Sequence, residues 1–247
     1  QISILHGLRG PGGVLAGEQA GGLDAVASAG RRLRGGTRVM VTGGADGSLC
    51  PYGQAIQLTS GRLSTVADPA RAYLPFDAAA CGCVPGEAGA ILVLEEAEAA
   101  RSRGYGEIAG YAATFGPGLG RAAEQALARA GVSPGDVDVV FADAAGTPDL
   151  DRAEAEAITA IFGPHGVPVT APKTMTGRLF AAGGALDLVD ALLSIRDGVL
   201  PPTVNVTPRY DLDLVTSARP GPVRVALVLA RGYGGFNAAM VLKGDPR

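Results

Sequence analysis

Two stretches of this chain echo one another. Residues 20–36 read AGGLDAVASAGRRLRGG, and residues 182–198 read AGGALDLVDALLSIRDG. Both open on Ala-Gly-Gly, pass through Leu-Asp and then Val, and run with one apolar face to a basic residue near the end. Apolar positions at that period predict a helix in each, at 20–34 and 181–197. Each helix is followed by a strand that opens on Arg-Val, Arg38-Val39 directly and Arg224-Val225 after an intervening loop. Each half then closes on a glycine-preceded strand, 88–94 and 236–242. Self-similarity of this kind predicts a duplicated architecture.

The rest of the chain alternates in the same way. Strands are expected at 13–17, 37–43, 137–142, 167–171 and 223–230, and helices at 119–131 and 150–162. Residues 106–115 alternate polar and apolar side chains, and 46–87 are expected to be irregular because Pro51, Pro69, Pro75 and Pro85 interrupt any long element. Alternating strands and helices predict an α/β protein with a mostly buried sheet. The halves are unequal. The second has two strand–helix units, 137–162 and 167–197, before its last strands, and the first has one. The chain also begins at Gln1 rather than Met. The expectation is that it starts inside the duplicated fold, with the first strand–helix units absent.

Composition narrows the function. The chain has 247 residues, 47% hydrophobic and 18% charged, with 38 Gly and no Trp, which fits one large or two small globular domains. A net charge of −3 without a basic stripe argues against nucleic acid as a partner. Cysteine usage, three residues with Cys81 and Cys83 too close for an unstrained bridge, points to a reducing cytoplasm. The two histidines, His6 and His165, stand apart from any cluster of ligand-type residues, so no metal site is expected. The longest mostly apolar stretch, Leu179 to Ile195, carries Asp187 and Asp190 and is too short and too charged for a membrane span.

The Gly-rich turn between residue 17 and the helix at 20 is where many α/β enzymes mount a nucleophile. Here the turn presents Gln19, a neutral amide that cannot attack. Taken alone, Gln19 reads as an ordinary residue at a helix start.

Four motifs then fall in order: PFDAAACGCVPGEAGAILVLEE (75–96), DAAGTPDLDRAEAEAI (143–158), KTMTGRLFAAGG (173–184) and RGYGGFNAAMVL (231–242). Together they resemble the β-ketoacyl synthase family over nearly the whole chain. The resemblance implies a duplicated thiolase-like fold in αβαβα layers. Residues 1–105 would be the remainder of the N-terminal half, and 106–247 the C-terminal half. Active members use a cysteine to hold the acyl chain as a thioester, and two histidines to activate the malonyl unit and stabilise its enolate. The cysteine's place falls on Gln19, the first histidine's on Asp143 and the second's on Arg178; the lysine of the second motif is kept as Lys173. A Gln amide forms no thioester. An ionised Asp143 repels a developing enolate oxygen, and Arg178 donates hydrogen bonds but cannot act as a base near neutral pH. Because the family places the last two positions in one pocket, a buried Asp143–Arg178 ion pair is expected there.

This replacement set, with EQAGGLDAV, LPFDAAA and KTMTGR, is similar to the chain length factors, the ketosynthase β subunits of bacterial type II polyketide synthases. That resemblance implies a subunit without intact catalytic residues, paired as a heterodimer with an active ketosynthase. The pair encloses the tunnel in which the polyketide of an antibiotic pathway grows. Substrates arrive on the phosphopantetheine of an acyl carrier protein, and no further cofactor is implied. Members are considerably longer, and the part lacking here is N-terminal, where most of the tunnel-gating helix falls. Tyr233 and Phe236 occupy the family's aromatic wall beside the tunnel. Cys81 and Cys83 sit in a loop where the family has other residues, and read as packing residues. Arg31, Arg32 and Arg34 suit the negative end of their helix, with an acidic carrier protein as the alternative contact. Two rival readings remain. One is a malonyl-carrier decarboxylase using Gln19, as in loading-type ketosynthase domains, although those keep both histidines. The other is an unrelated α/β binding domain.

Overall fold

The structure, a computed structural model, describes residues 2–47, 50–100 and 104–244. Its elements, in chain order, are α1 (Ile2–Leu5), α2 (Gly21–Arg34), β1 (Val39–Gly47), α3 (Pro51–Thr59), α4 (Pro69–Ala72), β2 (Glu87–Glu95), β3 (Glu107–Phe115), α5 (Leu119–Ala130) and β4 (Val139–Phe141). They continue with α6 (Pro148–Phe162), β5 (Pro168–Thr170), α7 (Lys173–Thr176), α8 (Gly183–Asp197), β6 (Val199–Leu200), β7 (Asp213–Leu214), β8 (Arg219–Pro220), β9 (Val225–Arg231) and β10 (Phe236–Lys243).

Six strands form the main sheet in the order β3-β10-β9-β4-β5-β7. The three pairs β9–β4, β4–β5 and β5–β7 are parallel, and β10 runs antiparallel to both β9 and β3. β9 reads VALVLAR, a nearly continuous apolar run, because both of its faces are covered. Leu227 and Leu229 point to the side of α5 and α6, while Ala226, Val228 and Ala230 point to the side of α2 and α8. α5 presents Leu119, Ala122, Ala123, Ala126 and Leu127 on one stripe, and stops at Gly131, whose φ of 59° suits glycine in the left-handed region.

On the far side of α2 and α8 lies a second sheet, the antiparallel pair β1–β2. Leu92 anchors it to the shared core. Its outer face shows Val39, Val41, Ile91 and Val93 exposed, and no hydrogen bond reaches the outer edge of β1 among the described residues. The layers are therefore α5/α6, the six-stranded sheet, α2/α8 and β1–β2: an α/β, thiolase-like stack with an incomplete first half.

The sequence echo is visible in three dimensions. Each repeated helix is preceded by a 3-10 turn, Glu18–Ala20 or Phe180–Ala182, and each turn starts on a non-glycine residue at positive φ, 52° at Glu18 and 45° at Phe180. The helices cross at their paired glycines. A Cβ on Gly22 would lie 2.7 Å from the Ala185 nitrogen and 2.8 Å from the Ala181 oxygen, and one on Gly184 would lie 2.9 Å from Leu23 Cγ.

Two sequence expectations are corrected. No strand forms at 13–17: Val14 and Leu15 are exposed, Pro11, Gly12, Gly13 and Gly17 loosen the backbone, and no described strand runs alongside to pair with it. The stretch 46–87 is not wholly irregular, since it holds α3 and α4, while residues 48 and 49 lie outside the described residues. Pro51 and Pro69 start those helices rather than break them, because a first-turn residue has no helical acceptor for its N–H. Cys50 Sγ and Asp68 Oδ1 cap them, accepting from the Gly53 and Ala70 nitrogens at 3.4 and 3.0 Å. Residues 107–115 are a full strand, and most other elements keep their expected places within one to three residues.

Candidate functional site

Three separate parts of the chain converge beneath the crossing of α2 and α8. Gln19 lies in the 3-10 turn before α2, Asp143 just past the end of β4, and Arg178 between α7 and the second turn. Sequence and helix geometry fix the loop after β4. Asp151 and Glu154, three apart on α6, share a buried face with Ala155 and Ile158. Glu154 accepts from the backbone nitrogens of Asp143 and Ala144 at 2.7 and 2.9 Å. Asp151 accepts from Gly146 at 2.9 Å and from Phe76 at 3.0 Å. Tyr73, fully buried, donates its hydroxyl to the Ala144 oxygen at 2.6 Å.

Arg178 spends both terminal nitrogens on this loop and on the turn. Nη1 donates to the Asp143 oxygen at 2.5 Å and the Ala144 oxygen at 3.2 Å. Nη2 donates to Asp143 Oδ1 at 2.7 Å and to Gln19 Oε1 at 3.0 Å. The expected ion pair is present, and both side chains are less than a tenth exposed. Arg231, at the end of β9, adds a second clamp. Its backbone nitrogen donates to Asp143 Oδ1 at 3.0 Å, and its side chain reaches Asp143 Oδ2 at 3.3 Å, the Leu150 oxygen at 2.9 Å and Glu154 Oε2 at 3.0 Å. Lys173 Nζ donates to the Ala142 oxygen at 2.6 Å and pairs with Asp187 at 2.7 Å.

Charge in this interior is matched: Arg178, Arg231 and Lys173 face Asp143, Glu154 and Asp187. Burial pushes the Asp143 carboxyl up, but Arg178, Arg231 and Lys173 together outweigh it and hold it well below the usual carboxylate range. Burial opposes the Arg178 charge, yet Asp143, Tyr73 and Cys83 raise its pKa above the ordinary value. Glu154 and Asp187 are raised by burial, with Arg231 and Lys173 respectively pulling against that rise. Burial also raises the Cys83 thiol, against the pull of Arg178, so the one buried cysteine is no thiolate at neutral pH.

Asp151 has a consequence for pH. Burial raises it to about 7, and burial raises Asp190 to about 6. Between their unfolded values near 4 and these folded values, the folded chain binds more protons than the unfolded one. Their contribution to stability is complete below about pH 4 and is lost as pH rises towards 7. Asp143 acts oppositely, but only below the usual carboxylate range. The urea midpoint is therefore expected to be higher at about pH 5 than at about pH 7.5, with the ¹³C shift of the Asp151 carboxyl turning near pH 7. A flat profile between those values, with Asp151 titrating near 4, is the contrary result.

The four residues Gln19, Asp143, Lys173 and Arg178 border one cavity of about 20 Å³, closed further by Leu179, Phe180, Asp187 and Ala230. That is room for about one water. Tyr233 and Phe236 do not line it. Tyr233 lies under the Arg62 guanidinium at 4.7 Å, and Phe236 meets Phe115 edge to face at 5.2 Å, both rings roughly half exposed. The turn that carries them enters the site through Arg231 instead. Sequence reasoning missed Arg231, Glu154, Asp151 and Asp187. Two carboxylates spaced i, i+3 on the apolar face of α6, and a carboxylate inside the apolar run of α8, were the available signals.

The chemistry open to this arrangement is narrow. No sulfur nucleophile stands at the turn, no imidazole is present, and the donors on both terminal nitrogens of Arg178 are engaged. Among the described residues no group of three or more His, Cys, Asp or Glu side chains is placed to hold a metal ion, and no helix is long and apolar enough to cross a membrane.

Comparison with known proteins places the geometry in context. The family model for the β-ketoacyl synthase N-terminal domain matches residues 1–100, and that for the β-ketoacyl synthase C-terminal domain matches residues 97–207. The tetracenomycin polyketide synthase ketoacyl synthase beta subunit of Streptomyces glaucescens is 58% identical over 261 residues, covering 98% of this chain. This chain spans 64% of that protein's length. Among solved structures, a type II polyketide synthase acyl-carrier protein in complex with its ketosynthase bound to the hexaketide superimposes with a TM-score of 0.93 at 27% identity, over 98% of this chain and 65% of that one. The ishigamide ketosynthase/chain length factor gives 0.86 at 28% identity, over 93% and 60%.

Proposed function

Since the chain belongs to the β-ketoacyl synthase family, we propose that it is the ketosynthase β subunit, or chain length factor, of a type II polyketide synthase. In this reading it has no acyl-transfer activity of its own. It pairs with an active ketosynthase as a heterodimer and helps shape the tunnel that sets polyketide length, on substrates delivered by an acyl carrier protein in the cytoplasm. The observation that carries the reading is the filled site: Gln19, Asp143 and Arg178 are bonded to one another around a space of about 20 Å³. A site closed in this way takes no acyl thioester. The name of the Streptomyces glaucescens relative and the titles of the two structures support the pairing and the carrier protein. We assign residues 1–105 and 106–247 to the two halves of the duplication, and Tyr233 and Phe236 to the tunnel's flank rather than to the cavity. The test is co-expression with a cognate ketosynthase of intact Cys-His-His. A one-to-one complex on gel filtration is expected, with polyketide formed only when both subunits are present. A ketosynthase that makes the full-length product unaided rejects the proposal.

A second reading rests on one hydrogen bond. Because Gln19 Oε1 accepts from Arg178, the amide Nε2 is the atom left to donate to a thioester carbonyl. Release of acetyl-carrier from malonyl-carrier by this subunit, abolished in Gln19→Ala, is the result that favours decarboxylation.

A further inference from the structure

The carboxylate of Asp143 is held in the way a bound anion is held. Oδ1 accepts from Arg178 Nη2 at 2.7 Å and from the Arg231 backbone nitrogen at 3.0 Å, and Oδ2 accepts from Arg231 Nε at 3.3 Å. These donors come from elements other than the one that carries Asp143. They are also fixed independently of its carboxylate. Arg178 is tied to the backbone oxygens of residues 143 and 144 and to Gln19. Arg231 is tied to the Leu150 oxygen and to Glu154, and its backbone is set by the pairing of β9 with β10. Shortening the Asp143 side chain therefore leaves two guanidinium groups and a backbone N–H facing an empty space. That space joins the adjoining cavity of about 20 Å³, which Gln19 and Lys173 also line. Carboxymethyl volume plus that cavity suits a formate or acetate ion, and charge-assisted donors of this number favour a carboxylate over a spherical halide.

We propose that this is a carboxylate-binding seat occupied by the protein's own side chain: Asp143 is an intramolecular ligand that closes the seat to small carboxylate anions. The inference goes beyond the pairing reading and needs no ketosynthase. It would stand if the heterodimer proposal failed, and it can fail while that proposal stands. For the subunit as we read it, the self-ligand keeps the carboxylate of a short diacid unit from lodging where no catalytic group can process it.

The experiment is chemical rescue. Asp143→Ala and Asp143→Gly are melted in chloride, formate, acetate and acetamide at matched ionic strength. Formate and acetate are expected to raise the melting temperature of both variants in a saturating, concentration-dependent way, with an apparent affinity at least about tenfold above any response of the unaltered chain. Chloride and acetamide are expected to give no matching rise. Asp143→Asn, which fills the seat with a neutral amide, is expected to show no carboxylate response. If the shortened variants do not fold, their refolding yield from urea is read instead, and should rise in formate or acetate but not in chloride. Equal rescue by chloride, an equal response of Asp143→Asn, or an equal response of the unaltered chain overturns the proposal.

Discussion

Replacing Arg178 with methionine is expected to lower the free energy of unfolding by about 3–5 kcal/mol, read from urea denaturation at constant m-value. Few surface residues in the chain carry such a penalty. Arg178 closes four hydrogen bonds, two to the backbone oxygens of Asp143 and Ala144, one to the Asp143 carboxylate and one to Gln19. Methionine fills much of its volume and satisfies none of them, so buried acceptors lose their donors. Asp143 keeps only Arg231 as a close side-chain partner. The matched change Asp143→Ala should be costly for the converse reason, an unpaired buried cation. The double variant should cost clearly less than the sum of the two, because each single change leaves a charge that the other removes. Additive losses, or an Arg178→Met loss below about 1 kcal/mol, would mean the pair is not coupled. Arg178→Lys is no safe substitute, since one ammonium does not span the forked set of acceptors.

The second large effect is expected at Gly22. A Cβ there meets the backbone of the opposite helix, 2.7 Å from the Ala185 nitrogen and 2.8 Å from the Ala181 oxygen. Neither atom is the end of a flexible side chain, so the helices must separate. Ala in place of Gly gains about 1 kcal/mol of helix propensity, and overpacking costs about 1–3 kcal/mol or more. Gly22→Ala is therefore expected to be a net loss, and Gly22→Val a loss of about 3 kcal/mol or more by the same overpacking. Gly30→Ala on the same helix is the control. Its Cβ would meet only the Arg34 guanidinium, at 4.0 Å, so it should gain about 0.5–1 kcal/mol from propensity alone. If the two alanine variants move together, the crossing is looser than the coordinates indicate.

The contrast between these positions shows what could be read from the chain beforehand. Paired glycines at both helix starts betrayed the duplication, since a repeat leaves its mark in residue spacing. Gln19, Asp143 and Arg178 could be picked out because each departs from a motif whose neighbours are kept. What was hidden depends on partners far away in sequence. Val14 and Leu15 have the look of a strand, but a strand requires a neighbour to bond with. Pro51 and Pro69 look like breaks until their position in the first helical turn is known. Arg231 sits in a glycine-rich run that drew notice for Tyr233 and Phe236. Only the register of β9 against β4, Leu227 opposite Val140, brings its guanidinium to Asp143.

The outer margin of β1 bears on how the molecule can be handled. From Val39 to Gly47 it carries neither lysine nor proline, the residues that usually blunt such a margin, and Val39 and Val41 stand in water beside it. Purified without a covering polypeptide, the protein offers a template on which any extended segment can add, a further copy included. Turbidity growing with concentration is the expected symptom, and whatever masks this margin in the cell serves as the molecule's solubiliser.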